Sequence, residues 1–328
     1  MFRTETEFVR WLRQRAPREA GRLRLGIGDD AALVVVTRRH DLILTTDLSL
    51  EGVHFLESRH PPRSVGHRAL ARSLSDIAAM GGTPRFALIS LALSRKATRA
   101  WVEEFYAGIS GLALRFGVRL IGGDTAIVSG STGIDVIVAG EVIRGKALRR
   151  SGARPGDQLF VSGRLGVSAL GLRALQSLAG RRGKADGSVH THLYPEPRCA
   201  LGRFLSQKRL ASALIDVSDG LSADLGRLCE ASGVGACVWA DQIPGPEVPE
   251  ARQYRRLRPL DLALNGGDDY ELLFTVPPGK LAKMPRRFRG VPLHHFGEIR
   301  TSKELILVLA NGEVRSLQPS GYDHFRKR

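Results

Sequence analysis

With 328 residues the chain is too long for one ordinary domain and suits two, and its 43% hydrophobic and 25% charged content excludes wholesale disorder. Lys and Arg outnumber Asp and Glu by 49 to 33, a net charge of +16. The cations are scattered over Arg10–Arg24, Arg252–Arg258, Arg286–Arg289 and Arg326–Arg328 without an aromatic-interleaved stripe, so an anionic partner such as a phosphate, or plain surface arginine, is implied, and nucleic acid is not the expected main partner. The 3 cysteines form no CxxC pair, the first residues contain no signal-like apolar stretch, and no run is long enough to span a membrane. A reducing, cytoplasmic setting is expected.

In chain order, residues 5–15 read as a short amphipathic helix, and Leu33–Val36 and Leu42–Thr46 as strands joined by the turn Thr37–Asp41. Arg63–Met80 follows as a helix, stopped by Gly81-Gly82. Phe86–Leu93 reads as a buried strand, Thr98–Phe116 as a second helix, Val118–Ile121 as a strand ending at Gly122-Gly123, and Ile134–Ala139 as an alternating strand. Gly, Pro and charge cluster at Arg149–Asp157, which places a domain boundary between residues 148 and 149. Beyond it come a strand at Leu159–Val161, helices at Ser168–Leu178 and Arg198–Ala211, and a polar loop over Gly180–His192. A strand at Ser212–Ile215 and a helix at Leu221–Ala231 precede a proline-bearing irregular stretch, Asp241–Pro259. Late strands fall at Leu272–Val276 and Leu305–Leu309. This alternation makes the fold class α/β or α+β.

The acids are less evenly used. Aspartates gather in six short motifs: Gly28-Asp29-Asp30, Thr45-Thr46-Asp47, Ser75-Asp76, Gly123-Asp124, Asp216-Val217-Ser218-Asp219 and Gly267-Asp268-Asp269. Most follow an apolar strand, where α/β proteins collect ligands. Turn chemistry alone accounts for any single motif, because Asp and Gly are preferred turn residues. Six together in a basic chain point instead to hard cations, Mg²⁺ above all, shared with phosphate. Asp219 opens a helix, so an N-cap role explains it. Asp76 lies in the last turn of a helix, where the macrodipole disfavours a carboxylate unless a cation is near. Two phosphate-loop lookalikes fail. Gly26–Ala31 carries two carboxylates and no following helix, and Gly140–Ala147 has Ala147 where a hydroxyl must ligate Mg²⁺. No HExxH, GxSxG or cysteine zinc spacing is present.

The motifs LGIGDDAA (25–32), TTDLSLEGVHF (45–55), SLSDIAAMGGTP (73–84), LIGGDT (120–125), RSGARPGD (150–157), IDVSDGLSADL (215–225), GGDDYELLF (266–274) and GYDHF (321–325), in this order, resemble thiamine-monophosphate kinase. That family belongs to the ATP-binding superfamily that includes aminoimidazole-ribotide synthetase. The resemblance implies phosphoryl transfer from ATP to thiamine monophosphate, several Mg²⁺ ions, and a homodimer. It also implies two domains, 1–148 and 149–328, with the N-terminal sheets of two subunits paired into a barrel-like core. It places Asp30, Thr45, Thr46, Asp47, Asp76, Asp124, Asp216 and Asp219 on metal positions. Gly123, Asp124, Arg150 and Ser218 fall on ATP contacts, with Tyr106 near the adenine, and His54, Asp268 and Tyr322 on substrate positions. Some relatives carry Glu where this chain has Asp268, which puts direct contact of its shorter arm with substrate in question. Another synthetase of the same superfamily, or a basic nucleic-acid-binding protein, are the alternatives. A selenophosphate-type reading wants an early reactive cysteine, and the first here is Cys199.

Overall fold

The computed structural model of the chain describes residues 23–25, 29–177, 187–247 and 257–322. The helix expected at 5–15 lies outside them. The first sheet holds β1 (Leu23–Leu25), β2 (Ala32–Val35), β3 (His40–Leu50), β4 (Thr83–Ser94), β5 (Arg119–Val128) and β6 (Gly133–Ile143), in the order β1-β2-β3-β6-β4-β5. Its one parallel pair is β4 with β5, joined by the crossover helix α2 (Arg99–Phe116). Local chemistry fixes that helix at both ends. Thr98 accepts a hydrogen bond from the Trp101 N–H at 3.1 Å, and Gly117 ends the helix in the left-handed region at φ 67°.

Helix α1 (Pro62–Ala79) is the axle of the molecule. Proline at its start supplies the preset φ of a first turn. Fourteen of its 18 residues are buried, because the sheet packs on one side and helices on the others. Small residues make this possible. A Cβ on Gly66 would lie 2.0 Å from the Phe105 carbonyl oxygen of α2, and one on Gly108 of α2 would lie 2.0 Å from the Arg63 carbonyl oxygen. Backbone therefore packs on backbone at that crossing.

The second half of the chain builds another sheet from β7 (Gln158–Ser162), β8 (Ala213–Val217), β9 (Gly235–Trp239), β10 (Glu271–Val276), β12 (Val291–Arg300), β13 (Leu305–Val308) and β14 (Val314–Ser316). The order is β14-β13-β9-β12-β7-β10-β8, with the short β11 (Arg287–Phe288) paired to β12. Its helices are α3 (Val167–Ser177), α4 (Gly187–Leu193), α5 (Cys199–Gln207), α6 (Leu221–Ser232) and α7 (Pro259–Asn265). The fold is thus mixed α/β with two domains. The domains share apolar surface: Cys199, Leu201 and Leu205 of α5 belong to the same buried cluster as Leu70, Leu74 and Ile77 of α1. A Cβ on Gly202 of α5 would lie 2.0 Å from the Ala78 carbonyl oxygen.

The structure corrects the sequence reading in several places. Residues 187–193 form helix α4, not loop, with Val189 and Leu193 buried in a small cluster with Leu170 and Leu262. Helix α7 begins at the last residue of the stretch expected to be irregular and was not anticipated. The strands β9 and β12 were not anticipated, and β5 runs to Val128 rather than stopping at Ile121. Within one chain each sheet is open, and no barrel closes among the described residues.

Candidate active site

A cleft of about 980 Å³ runs between α1, the loop after β3, one face of α3, the second half of α6 and α7. At its wall stand the aspartates. Asp30, Asp76 and Asp216 each bring a carboxylate oxygen within 4.8 Å of the others. They come from the loop before β2, the last turn of α1 and the parent strand β8. Burial raises the pKa values of Asp76 and Asp216 well above the ordinary carboxylate range, and neighbouring aspartates push them further. Hydroxyls steady the cluster: Thr45 Oγ1 donates to Asp76, and Ser75 Oγ donates to Asp216 Oδ2 at 2.6 Å. Asp47 is also raised by burial, against the lowering influence of Arg72. An all-oxygen set of crowded, buried carboxylates fits Mg²⁺, since a hard dication would relieve the mutual repulsion.

Arginines hold part of this charge. Arg150 forks onto Asp30, with Nε to Oδ2 at 2.9 Å and Nη2 to Oδ1 at 3.1 Å. Its backbone N–H also points to Asp29, which burial and Asp30 raise to about 7. Asp219 takes a bond from Arg227, and the same guanidinium reaches Asp224. The N-cap assigned to Asp219 is not observed. Gly220 is the cap residue, and Asp224 Oδ2 instead accepts from the N–H groups of Ser218 and Asp219, both at 3.0 Å. Burial and Asp219 push Asp224 up to about 7.

The same cleft carries the three residues expected at the substrate. His54 Nδ1 accepts from the Leu50 N–H at 2.9 Å, which fixes the ring on the loop after β3. Tyr322 lines the same wall, next to Asp219, whose carbonyl accepts its N–H. Asp268 lies in a loop of unusual backbone, with φ 65° there and 52° at Tyr270. Both its oxygens are engaged: Arg68 Nη2 donates at 2.9 Å and the Tyr270 hydroxyl at 2.6 Å. Although burial opposes it, Arg68 and Arg72 hold its carboxyl well below the usual range. Behind Arg68 lies His192, its carbonyl accepting from Arg68 and its Nδ1 2.9 Å from Ser168 Oγ. His192 Nε2 faces His60 Nε2 at 3.2 Å.

The structure therefore places Asp47, Asp76, Arg150, Asp216, Ser218, Asp219, His54, Asp268 and Tyr322 on the walls of one cleft, with Asp30 and Thr45 bonded to Arg150 and Asp76 of those walls. It does not bring Thr46, Gly123, Asp124 or Tyr106 to the lining of that cleft in the same chain. Thr45 and Thr46 are consecutive on a strand and so face opposite sides of the sheet. Thr46 Oγ1 donates to Asp135 Oδ1 at 2.5 Å on the side away from α1. Ser90 stands between Asp135 and Asp124 in register, which makes a polar row across that open face. Gly123 permits β5 to approach β4, since a Cβ there would lie 1.9 Å from the Ile89 carbonyl oxygen. Tyr106 packs edge-on to Phe105. Sequence reasoning missed Asp224, Arg68 and Arg72. Asp224 lay within a quoted motif, whereas nothing local distinguishes the two arginines from the many on the surface.

Two family models match the chain in succession. One is the AIR synthase related protein N-terminal domain over residues 28–143, and the other is the corresponding C-terminal domain over residues 154–309. Thiamine-monophosphate kinase of Escherichia coli (strain K12) is 38% identical, covering 92% of this chain and 92% of its own. That of Bacillus subtilis (strain 168) is 36% identical, covering 92% and 94%. The chain belongs to the thiamine-monophosphate kinase family. The structure of AaThiL complexed with AMPPCP and TMP superposes with a TM-score of 0.83 at 30% identity, covering 98% of this chain and 97% of that one. No helix among the described residues is long and apolar enough to cross a membrane.

Proposed function

We propose that the chain transfers the γ-phosphoryl group of ATP to the phosphate of thiamine monophosphate, giving thiamine diphosphate and ADP. The observation that carries this reading is the polarity of the cleft in a member of this family. A crowded carboxylate cluster and the aromatic and hydrogen-bonding side chains His54 and Tyr322 share one cleft. The N-terminal domain spans 1–148 and the C-terminal domain 149–328, and the cleft lies between them. The protein works in the cytoplasm.

The donor and the acceptor are both phosphates, so the chemical problem is to bring two anions together. The acceptor oxygen is ionised at neutral pH and needs no strong general base. Several Mg²⁺ ions, when bound, neutralise phosphate charge and stabilise the charge of the transition state. Asp30, Asp76 and Asp216, with Thr45, Asp47 and Asp219, would hold them in the cleft, and Thr46 and Asp124 would do so from the open face of the sheet. Arg150, Ser218 and Gly123 contact the nucleotide, and Tyr106 lies by its adenine. His54 and Tyr322 present ring faces to the pyrimidine and the cationic thiazolium. Asp268 shapes that region by fixing Arg68 and Tyr270. Transfer is direct and in line.

Two chains form the working unit. The face of the first sheet away from α1 exposes Leu44, Leu48, Phe86 and Leu88, and a second copy is the occupant that would cover it, pairing the two sheets into a barrel-like core. The reading is tested by a coupled ADP-release assay with ATP, Mg²⁺ and a panel of phosphorylated acceptors. Thiamine monophosphate is expected to be turned over best. Silence with it, beside turnover of another acceptor, would move the chain to a different synthetase activity.

A further inference from the structure

Arg72 acts above only on the charge of Asp47 and Asp268 and has no assigned part in binding, yet it lines the cleft. It lies one helical turn before Asp76 and one turn after Arg68, so the three share a face of α1. The guanidinium interacts electrostatically with Tyr270 and Asp268 on one hand and with Asp47 and Asp76 on the other.

The neighbouring arginines are committed elsewhere. Arg68 is spent on Asp268 and the His192 carbonyl, Arg150 on Asp30, and Arg227 on Asp219 and Asp224. Arg72 makes a single hydrogen bond among the described residues, Nη2 to Asp47 Oδ1, and it is long at 3.4 Å. Its side chain is 16% exposed, so it reaches the cleft while its stem is covered. A guanidinium has five donors in a planar fork that matches a phosphate, and here nearly all of them are unspent.

We propose that Arg72 holds the phosphate of the acceptor, between the carboxylate cluster and the Asp268–Tyr270 corner. This rests on the reading of the chain as a thiamine-monophosphate kinase. The acceptor phosphate is an anion that must enter beside a nest of carboxylates. Arg72 supplies the positive charge on the acceptor side of that nest, as Arg150 supplies it on the side of Asp30. Its weak bond to Asp47 keeps the fork in place until the phosphate arrives. Recognition of the acceptor then has two parts: ring contacts at His54 and Tyr322, and a phosphate contact at Arg72.

The test compares the wild type with Arg72→Met and Arg72→Lys at saturating Mg²⁺. Arg72→Met is expected to raise KM for thiamine monophosphate roughly 10- to 100-fold, the share of a charged hydrogen bond, while KM for ATP moves less than about twofold. Arg72→Lys keeps the charge but not the fork and should fall between. Calorimetry provides the phosphate-specific readout. Thiamine, which has no phosphate, should bind Arg72→Met as it binds the wild type, and thiamine monophosphate should lose affinity. Equal loss for both ligands, an equal rise in both KM values, or a change only in the Mg²⁺ requirement would overturn the proposal and leave Arg72 as a counter-ion of Asp47. A wild-type protein inert toward thiamine monophosphate would instead sink the kinase reading itself.

Discussion

Asp30 shows how tightly charge is balanced in the cleft. Its side chain is fully buried, and the fork of Arg150 is its one cationic partner among the described residues. Removing one partner of such a pair costs about 3–5 kcal/mol, because the remaining charge stays buried. Arg150→Ala should therefore lower the melting temperature of the metal-free protein as well as weaken ATP binding. Added Mg²⁺ should restore most of the lost stability by giving Asp30 a new counter-charge, but not the ATP affinity. Differential scanning calorimetry and ATP titration check both halves. A melting loss of equal size with and without Mg²⁺ would separate Arg150 from the metal cluster. The same residues set a pH dependence. Asp76 and Asp216 have raised pKa values in the metal-free protein, so each holds a proton to higher pH than a free carboxylate. Mg²⁺ must displace those protons, and its affinity should rise as pH rises and they are lost. Titrations in buffers of different ionisation enthalpy should show proton release, and a pH-independent affinity without release would contradict the cluster as the metal site.

At the scale of elements, α1 and α2 touch through Gly66 and Gly108, where each added methyl would meet a carbonyl at 2.0 Å. Backbone cannot swing aside as a side chain can. Gly108→Ala should cost about 1–3 kcal/mol through overpacking, despite the better helix propensity of alanine. Chemical denaturation measures this, and a stabilised variant would mean that the helices can separate freely. No signal in the sequence marked these glycines, because their role depends on what lies opposite. The acidic motifs were legible for a different reason. Each is local, sits at an apolar strand or helix end, and repeats the same residue types, so Asp30, Asp76 and Asp216 could be grouped before the fold was known. The fold class and most strands and helices were legible from periodicity in the same way. The short helices α4 and α7 were not. Seven residues give too little periodicity, and the histidines of α4 read as loop until Leu170 and Leu262 are seen to cover Val189. Arg68 and Arg72 stayed hidden because a chain rich in surface arginine gives no local hint of which ones turn inward. Facing directions within Thr45-Thr46-Asp47 followed from strand alternation, yet consecutive residues in one motif were read as one ligand set.

For the whole molecule the unsolved surface is the first sheet. Helices cover one face, and the other exposes Leu44, Leu48, Phe86 and Leu88, with Leu48 at 51% and Phe86 at 42%. Apolar side chains set together on an exposed sheet mark an interaction site rather than ordinary surface. The end strand β5 is paired on one side, to β4, and has exposed backbone neighbours along nearly its length. Such an edge invites pairing with another chain. The polar row of Thr46, Asp135, Ser90 and Asp124 crosses the middle of this apolar face, so whatever covers the face also encloses two carboxylates. In the proposed dimer a second copy would satisfy the apolar part, and nucleotide with its cations would satisfy the row. Leu88 sits beside that row, two residues before Ser90 on the same side of β4. Leu88→Arg should split the proposed homodimer, with sedimentation equilibrium giving the mass of two chains for the wild type and of one for the variant. Because the cleft around Asp30, Asp76 and Asp216 belongs to a single chain, the monomer should still fold and still bind Mg²⁺ there. It should lose most of its turnover, since Thr46, Gly123 and Asp124 would stand in open water instead of an enclosed nucleotide site. A wild-type protein that sediments as one chain while fully active would show that the exposed sheet is not needed for catalysis. It would also leave Asp124 without the partner surface that gives it a function.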